Sequence, residues 1–340
     1  MTADDKSARA ANIFDVARLA GVSHQTVSRV LNDLPNVRPA TRARVEQAIA
    51  QLRYSPSPAA RALVTRRTRT IGLIAPGVSE YGPTSIAMHF NIAARAARYS
   101  VDAVSSLDDN PGSIRSLVEG LLRQRVDAIV LIVVDVAVLE VVRGLDLAIP
   151  VVAVAATARR SPLIVSIDQY RGARAAVRHL IELGHTRILH LAGPAKAPDA
   201  IERIRGWREE LVGNRLDVVE PPHGDWSAAS GYELGTRLDV EPGMAVFAAN
   251  DHMAIGLLSA LRERGLSVPD DVSVVGFDDL PEAGYLFPPL TTVRQDFAAL
   301  GALMMQNVLV AIEEPEAASE DTPLPTKLIV RQSTQAVEGR

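Results

Sequence analysis

Residues 14–32 read FDVARLAGVSHQTVSRVLN, and this stretch decides the architecture of the N-terminal part of the chain. Its apolar residues recur at the three- and four-residue spacing of two short amphipathic helices. Gly21 supplies the left-handed backbone that ends the first helix, and Ser23 is a strong N-cap for the second. Ala17 is small enough for a close helix crossing, and Val27 fills that crossing from the second helix. The spacing predicts a helix-turn-helix.

The second predicted helix has one apolar face and one polar face. Val27, Val30 and Leu31 share a stripe, which leaves polar side chains on the opposite face near the N-terminal end. In a helix-turn-helix this end enters the major groove of DNA, so the polar face is predicted to read bases. An ordinary amphipathic helical hairpin is the alternative interpretation. The predicted DNA-contacting residues of this helix are Ser23, His24, Gln25, Thr26, Ser28 and Arg29.

The charge of the chain is divided unevenly along its length. Residues 1–70 carry 12 Lys and Arg against 5 Asp and Glu, whereas the remainder carries 24 against 35. A cationic N-terminal module on an acidic body is typical of a protein that touches nucleic-acid phosphates with one end only. This asymmetry favours DNA binding over the plain helical hairpin.

A third helix is predicted to begin near Pro39 or Ala40 and to run through Leu52, closing a small three-helix core. After it, Ser57 and Pro58 form a typical helix start, but the segment is barely two turns long. A helix this short is not stable in water alone, so it needs a partner to fold. Two interpretations remain: a plain interdomain linker, or a hinge helix that orders against its dimer mate and the DNA minor groove.

The body of the chain alternates apolar runs of strand character with helical patterns. This alternation predicts a parallel α/β sheet. About 270 residues is large for one doubly wound unit, so we expect two similar lobes, with a ligand cleft between them where strands end. The predicted strands are 71–75, 127–134, 150–154, 187–191, 245–249 and 272–277, and the predicted helices are 86–98, 137–143, 200–212 and 251–264.

Composition excludes several classes of protein. The chain has no cysteine, which excludes disulfides and thiol catalysis and agrees with a reducing compartment. The N-terminus has no apolar signal core, and the most apolar stretch, 126–142, is interrupted by three acidic residues. His185 and His190 do not follow a zinc-binding pattern, and there is no phosphate loop or nucleophile elbow. We expect a soluble cytoplasmic protein that is not an enzyme, with no metal, cofactor or membrane contact.

Polar side chains follow two of the predicted strands. Asn250 and Asp251 come after the strand that ends at Ala249, and Asp278 and Asp279 come after the strand that ends at Phe277. Helix capping is the alternative interpretation, and it is as good as ligand binding for Asp251. Saccharide recognition requires polar side chains of this kind for the hydroxyl groups together with an aromatic ring for the C–H face, and Trp226 in the segment 224–227 is a candidate for that ring.

Five motifs in order across residues 13 to about 333 resemble the LacI/GalR family of regulators. The resemblance implies an N-terminal DNA-binding head and a two-lobed core of the periplasmic-binding-protein type. It also implies that Asp199, Arg203, Trp226, Asn250, Asp278 and Phe297 contact a small effector. The motifs are the helix-turn-helix with its Tyr54-x-Pro56 hinge entry, Gly224-Asp-Trp-Ser227, Ala249-Asn-Asp251, Val275-Gly-Phe-Asp-Asp279 and Pro288-Pro-Leu-Thr-Thr-Val-Arg-Gln-Asp-Phe297.

The resemblance has further implications and some gaps. It implies that Ala60 and Leu63 reach the minor groove at the centre of a pseudopalindromic operator, where Leu63 kinks the duplex. Ile132, Ala155 and Asp108 stand where a relative places polar or cationic residues around its sugar, which leaves room for an effector other than a simple galactoside. The chain has no room after residue 330 for a leucine-heptad tail, so we expect a homodimer.

The sequence therefore predicts a repressor that a sugar or glycoside inducer releases from double-stranded operator DNA. A corepressor-dependent regulator, a sugar-binding protein without DNA function and a sugar-modifying enzyme are the alternatives. A sugar-binding protein without DNA function would have no use for the basic head. A sugar-modifying enzyme would need a set of catalytic residues that the sequence lacks. The predicted domains are a helix-turn-helix at 1–55, a hinge and linker at 56–70, a two-lobed core at 71–333 and a tail at 334–340.

Overall fold

The chain forms two compact units, residues 1–68 and 69–340, which are described separately below. The structure is a computed structural model. It describes residues 11–31, 35–54, 67–77, 80–106, 111–135, 137–138, 141, 144, 147–156, 164–241, 243–314 and 322–337.

The N-terminal unit contains helices α1 (Ile13–Ala20), α2 (His24–Leu31) and α3 (Pro39–Leu52). A capping box starts α1. The Asn12 side chain accepts from two backbone N–H groups, and the Asn12 backbone N–H donates to the Asp15 carboxylate at 3.0 Å. Gly21 ends α1 with φ 64°, which a Cβ would disfavour.

The core of this unit is small and apolar. Val27 of α2 is fully buried at the helix crossing, together with Ala17 and Ala20 of α1 and Val45 and Ala48 of α3. A Cβ-only side chain at position 17 lets the two helices approach closely, as the sequence pattern predicts. The helix-turn-helix and the third helix are therefore confirmed.

The first sheet of the second unit is wholly parallel, in the order β2-β1-β3-β4-β5. Two helices follow β1 and β2 respectively and cover its faces. The strands are β1 (Thr70–Pro76), β2 (Ser100–Ser106), β3 (Ala128–Ile132), β4 (Val151–Val154) and β5 (Ile164–Val165), and the helices are α4 (Tyr81–Ala96) and α5 (Pro111–Arg123).

The second sheet has the order β10-β9-β8-β7-β6, with all pairs parallel except β10 against β9. Its central strands β7 and β8 are buried along their whole length, which explains their continuous apolar sequence. The strands are β6 (Ile188–Leu191), β7 (Met244–Ala248), β8 (Val272–Asp278), β9 (Thr291–Arg294) and β10 (Lys327–Ile329). The helices are α6 (Gln169–Glu182), α7 (Pro198–Gly213), α8 (Ala228–Arg237), α9 (Asp251–Glu263) and α10 (Phe297–Glu313).

Helix α10 shows that the two lobes exchange chain segments. It follows β9 of the second sheet, yet Leu300 and Met304 pack in one apolar cluster with Ile71 and Phe90 of the first lobe. The chain then returns to the second sheet as β10. The predicted two-lobed α/β core with crossing connections is therefore confirmed.

The sequence pattern located six strands and missed several elements. The buried strands β1, β3, β4, β6, β7 and β8 lie where they were predicted, whereas β2, β5, β9 and helices α5, α6, α8 and α10 were not predicted. Most of the predicted helix at 137–143 lies outside the described residues. Within the described ranges, no helix combines the length and the apolarity needed to cross a bilayer.

Close packing of α4 on α10 depends on Gly301. A Cβ at this position would lie 2.6 Å from the His89 carbonyl carbon and 2.8 Å from the Phe90 nitrogen, and both are backbone atoms that cannot rotate away. By contrast, a Cβ at Gly120 in α5 would meet only the tip of Arg123, at 3.8 Å.

We predict opposite effects of alanine at these two helical glycines. Gly301→Ala should lower the free energy of unfolding by about 1–3 kcal/mol through overpacking. Gly120→Ala should raise it by about 0.5–1 kcal/mol through helix propensity. Urea unfolding followed by tryptophan fluorescence measures both, because the chain's two Trp residues lie in the second unit. Equal stability of the two variants would contradict this account of the α4–α10 contact.

Candidate functional site

A cavity of about 740 Å³, including its open mouth, lies where the strands of both sheets end. Segments that follow β1, β3, β4 and β5 of the first lobe form one side. The N-terminal ends of α7 and α9, the end of β8 and the segment after β9 form the other. Carboxyl ends of parallel strands are the usual ligand position in α/β folds, because the connecting loops diverge there.

Arg203 of α7 is the centre of the polar half of this cavity. Its side chain is only 3% exposed, so the guanidinium needs several partners in place of water. Its Nε donates to the Gln169 amide oxygen at 3.0 Å, one Nη donates to the Ala249 carbonyl, and the other Nη donates to the Asp278 carboxylate at 3.4 Å. The guanidinium also lies 3.8 Å from the centroid of the Phe277 ring.

Two glutamines complete a closed hydrogen-bonded ring with Arg203. Gln295 donates to Asp278 at 2.7 Å, and Gln169 donates to Gln295 at 2.7 Å. All four side chains are buried. Each polar group therefore fixes its neighbour, and the carboxylate of Asp278 keeps a defined position at the cavity wall.

Asn250 caps α9 and also positions the tryptophan loop. Its Oδ1 accepts from the Met253 N–H at 2.9 Å, and its Nδ2 donates to the Trp226 carbonyl at 3.0 Å. Trp226 itself adopts φ 73°, which turns its indole ring to within 5.3 Å of the Arg203 guanidinium. Asn250 is therefore both the N-cap of α9 and a residue of the cavity wall.

The other half of the cavity is apolar. Phe297 at the start of α10 packs edge-to-face against Tyr81, with ring centroids 5.7 Å apart. Ile132 and Ala155 also line this side, so the apolar replacements seen in the sequence face the cavity. Asp108 lies outside the described residues. The cavity can therefore hold a molecule with one polar face and one carbon-rich face.

The recognition helix α2 presents a polar surface in the N-terminal unit. Its side chains His24, Gln25 and Arg29 are exposed, as is Ser23, while Thr26 and Ser28 are half-buried. Ser23 Oγ accepts from the Thr26 N–H at 3.2 Å, which is the N-cap bond predicted for this residue. Ala60 and Leu63 lie outside the described residues, so their predicted minor-groove contact stays a prediction.

Comparison with known proteins finds two family models that match separate parts of the chain. Residues 12–57 match the model of bacterial regulatory proteins of the lacI family, and residues 177–334 match a periplasmic binding protein-like domain. The lactose operon repressor of Escherichia coli K12 is 33% identical over 330 residues, which is 95% of this chain and 91% of that protein. The chain belongs to the lacI family.

Solved structures of the lacI family agree in fold over nearly the whole chain. A lac repressor dimer bound to operator and the anti-inducer ONPF superposes with a TM-score of 0.84 at 32% identity, covering 96% of this chain and 100% of that chain. A complex of the transcriptional regulator CelR with cellobiose has a TM-score of 0.69 at 30% identity, covering 95% and 99%. Family membership identifies the protein as a transcriptional regulator with a helix-turn-helix head.

The structure brings all six residues predicted to contact an effector around the one cavity. Other polar residues also line this cavity, and they were not predicted because the family resemblance does not assign them to the effector. Gln295 lies within a quoted motif and Glu80 follows the predicted strand 71–75, so the motif and the strand-end rule could have found these two. Gln169 follows β5, a two-residue strand that was not predicted. The six are Asp199, Arg203, Trp226, Asn250, Asp278 and Phe297.

The paired acidic residues after strands β7 and β8 have different roles. Asp251 points away from the cavity, accepting from the Thr292 hydroxyl at 2.5 Å and from the Leu280 N–H at 2.8 Å. Asp279 accepts from Arg294 and Arg331 at 2.5 and 2.6 Å. Both therefore hold the segment between β8 and β9, and only Asp278 lines the cavity.

Several buried carboxyl groups have raised pKa values. Burial raises the pKa of Asp251 to about 8, and the Asp278 charge adds to the effect. Burial likewise raises the pKa of Asp278 to about 6, although the Arg203 charge opposes it. The pKa of Glu80 rises to about 7 through burial and through the charges of Asp225, Asp278 and Asp199. The folded protein therefore holds protons near neutral pH that an unfolded chain would release.

We predict that Asp251, Asp278 and Glu80 together contribute stability to the second unit that is lost as pH rises from about 5 to about 8. The folded pKa values lie above the usual carboxyl value of about 4, so the folded state binds more protons in this window and stability is lost as pH rises. Asp251→Asn removes one of these groups and should make the pH dependence shallower between pH 6 and 8. Urea unfolding by tryptophan fluorescence at four pH values measures the slope. Identical slopes in the two proteins would show that Asp251 does not titrate in this range.

Proposed function

We propose that this protein is a cytoplasmic, homodimeric transcriptional repressor that a small sugar or glycoside inducer releases from its operator. The observation that carries the proposal is the pairing of an exposed recognition helix in one unit with a deep, half-polar cavity in the other. A regulator needs both a DNA surface and a ligand site. The lac repressor dimer bound to operator and ONPF, and the CelR complex with cellobiose, support the same assignment.

The DNA contacts are assigned to the N-terminal end of α2. Gln25 and Arg29 are exposed one helical turn apart, which allows both to reach base edges in one major groove. Phe14 of α1 packs against the His24 ring with centroids 5.3 Å apart, which restricts the ring's position. Leu63 is proposed to wedge into the minor groove of a pseudopalindrome, following the family resemblance.

Arg29→Ala should weaken binding to the operator by about 1–3 kcal/mol and should weaken binding to random DNA by less. Fluorescence anisotropy with an operator duplex and a scrambled duplex of equal length measures the two affinities at one salt concentration. Arg123→Ala removes the same charge from an exposed position of α5 in the other unit and should change neither affinity. Equal losses on both duplexes in Arg29→Ala would make Arg29 a phosphate contact.

The ligand assignment rests on the chemistry of the cavity wall. A saccharide presents hydroxyl groups that pair with Asp278, Asn250 and Arg203, and a C–H face that an indole ring covers. Trp226 lies beside the guanidinium at the position such a face requires. Phe297 supplies the apolar wall on the opposite lobe.

A self-association surface is proposed in the second lobe. Tyr285 and Phe287 are 91% and 99% exposed on a short segment before β9, an unusual position for two large aromatic side chains in a monomer. Two copies of this segment brought together would bury them. The dimeric state of the lac repressor structure supports a second copy of this chain as the partner.

The inducer response should depend on Arg203. Titrating a candidate sugar against a labelled operator complex should release wild-type protein and leave Arg203→Ala bound, because an effector lowers DNA affinity only through its preference for the released state. Arg205→Ala is the matched control, since Arg205 lies two residues away and pairs with Glu202 at 2.6 Å outside the cavity. It should respond like wild type.

Arg203 also neutralises Asp278, so Arg203→Ala needs a test of folding. Its melting temperature and its dimer mass by light scattering should therefore be measured beside its operator affinity. Trp226→Leu leaves the ion network in place and should also weaken the response. An unimpaired response in Arg203→Ala would move the effector site elsewhere, and tighter DNA binding on adding sugar would make the ligand a corepressor.

A further inference from the structure

Glu80 is a carboxylate on the cavity wall for which the described part of the chain supplies no hydrogen-bond or ion-pair partner. It lies between β1 and α4, where it is the N-cap residue of α4 without making a side-chain cap bond. Among the described residues, no donor or cation lies within hydrogen-bonding or ion-pairing distance of its carboxylate, and the side chain is half-buried. A half-buried carboxylate on the wall of an open cavity is available to bind a donor or a cation of a ligand.

The charges on the cavity wall do not balance. Three carboxylates line it, from Glu80, Asp199 and Asp278, whereas Arg203 supplies its one cation among the residues that the structure describes. Asp278 is the carboxylate nearest to that cation, at 3.4 Å, and Asp199 is 3.9 Å from it and 43% exposed to the cavity. Gln169 and the Ala249 carbonyl accept from two more of the five guanidinium N–H groups. Among the described residues, the wall therefore has a formal excess of two negative charges.

Neutral hydroxyl groups would leave this excess in place. A hydroxyl can donate a hydrogen bond to Glu80, but it contributes no charge, and the site becomes less hydrated when a ligand fills it. A ligand ammonium group gives both a charge-assisted hydrogen bond and charge compensation. A neutral saccharide and an amine-bearing saccharide should therefore differ most in the strength of their interaction with Glu80.

We propose that the effector carries a protonated amine beside its hydroxyl groups, which binds at Glu80 with Asp199 contributing the second negative charge. The ligand class is an amino sugar or an amine-bearing glycoside. This inference rests on the proposed function, since it assumes that the cavity binds the effector. The hydroxyl groups of the effector bind on the side of the cavity that is formed by Arg203, Asn250 and Asp278, as described above.

Electrostatics of the free site agree with this assignment. Burial together with the charges of Asp225, Asp278 and Asp199 raises the pKa of Glu80 to about 7. The pKa of Asp199 is also raised, because its carboxylate is less hydrated inside the cavity than in open water and because Glu202 is near, while the Arg203 charge and a backbone hydrogen bond from Ala156 oppose the shift. In the free protein, protons therefore relieve part of the repulsion. A ligand cation takes over that role without leaving the carboxylates neutral.

Matched pairs of saccharides test the proposal. Isothermal titration of the full chain at pH 7.5 compares D-glucose with D-glucosamine, D-galactose with D-galactosamine, and cellobiose with the disaccharide of β-1,4-linked glucosamine. N-acetylated forms add the bulk of a substituent without a charge. We expect the amine of at least one pair to bind about ten- to a hundredfold more tightly than its hydroxyl and N-acetyl counterparts.

Variants locate the preference at Glu80. The ratio of the dissociation constants of the hydroxyl and amine ligands should fall about tenfold or more in Glu80→Gln. It should stay unchanged in Glu119→Gln, an exposed carboxylate of α5 in the same lobe. Thermal melting checks that both variants fold. If Glu80→Gln does not fold, Asp199→Asn replaces it, with the same loss of preference expected.

The outcomes separate this inference from the proposed function. Hydroxyl or N-acetyl forms that bind as tightly as the amine overturn the amine assignment and leave a sugar-responsive regulator. An amine preference that survives in both Glu80→Gln and Asp199→Asn overturns the role of these carboxylates. Binding of no member of any pair, neutral or cationic, counts against the saccharide effector and against this inference with it.

Discussion

Burial of the Arg203 guanidinium is the constraint on which the effector site depends. A charge that is 3% exposed must be met by acceptors, and here they come from three separate segments: Gln169 of α6, the Ala249 carbonyl after β7 and Asp278 at the end of β8. Satisfying one side chain thus fixes the relative positions of two strands and two helices. The same contacts leave Asp278 oriented at the cavity wall.

This constraint also sets the chemistry that a ligand meets. Because three of its five N–H groups bind protein acceptors, Arg203 is held beside Asp278, whereas Glu80 and Asp199 face the cavity with their carboxylates. The facing wall, built around Phe297, is apolar. A ligand that fits must therefore offer donors or a cation on one side and carbon on the other. The exposed polar and charged side chains of the recognition helix α2 lie in the other unit, where their partners are DNA phosphates and bases.

The fold and much of the site could be predicted because local rules act on them directly. Gly21 and the capping residues fix the helix-turn-helix within twenty residues, and buried strands such as β7 and β8 are continuous apolar runs. The rule that ligand-binding residues follow parallel strands, together with the family motifs, predicted six residues, and all six line the cavity. Half-exposed elements were missed, β2 among them, because its alternating burial gives only a weak apolar signal.

Sequence by itself determined the three-helix head, the alternation of strands and helices and the asymmetry of charge, since each depends on neighbours along the chain. Only the tertiary structure decided that α10 packs in the first lobe, and that Asp278 lines the cavity while Asp251 holds the β8–β9 segment. Both aspartates follow a strand, so their local signals are alike. Their roles diverge because Leu280 and Thr292 reach one carboxylate and Arg203 reaches the other, and these partners lie far away in sequence.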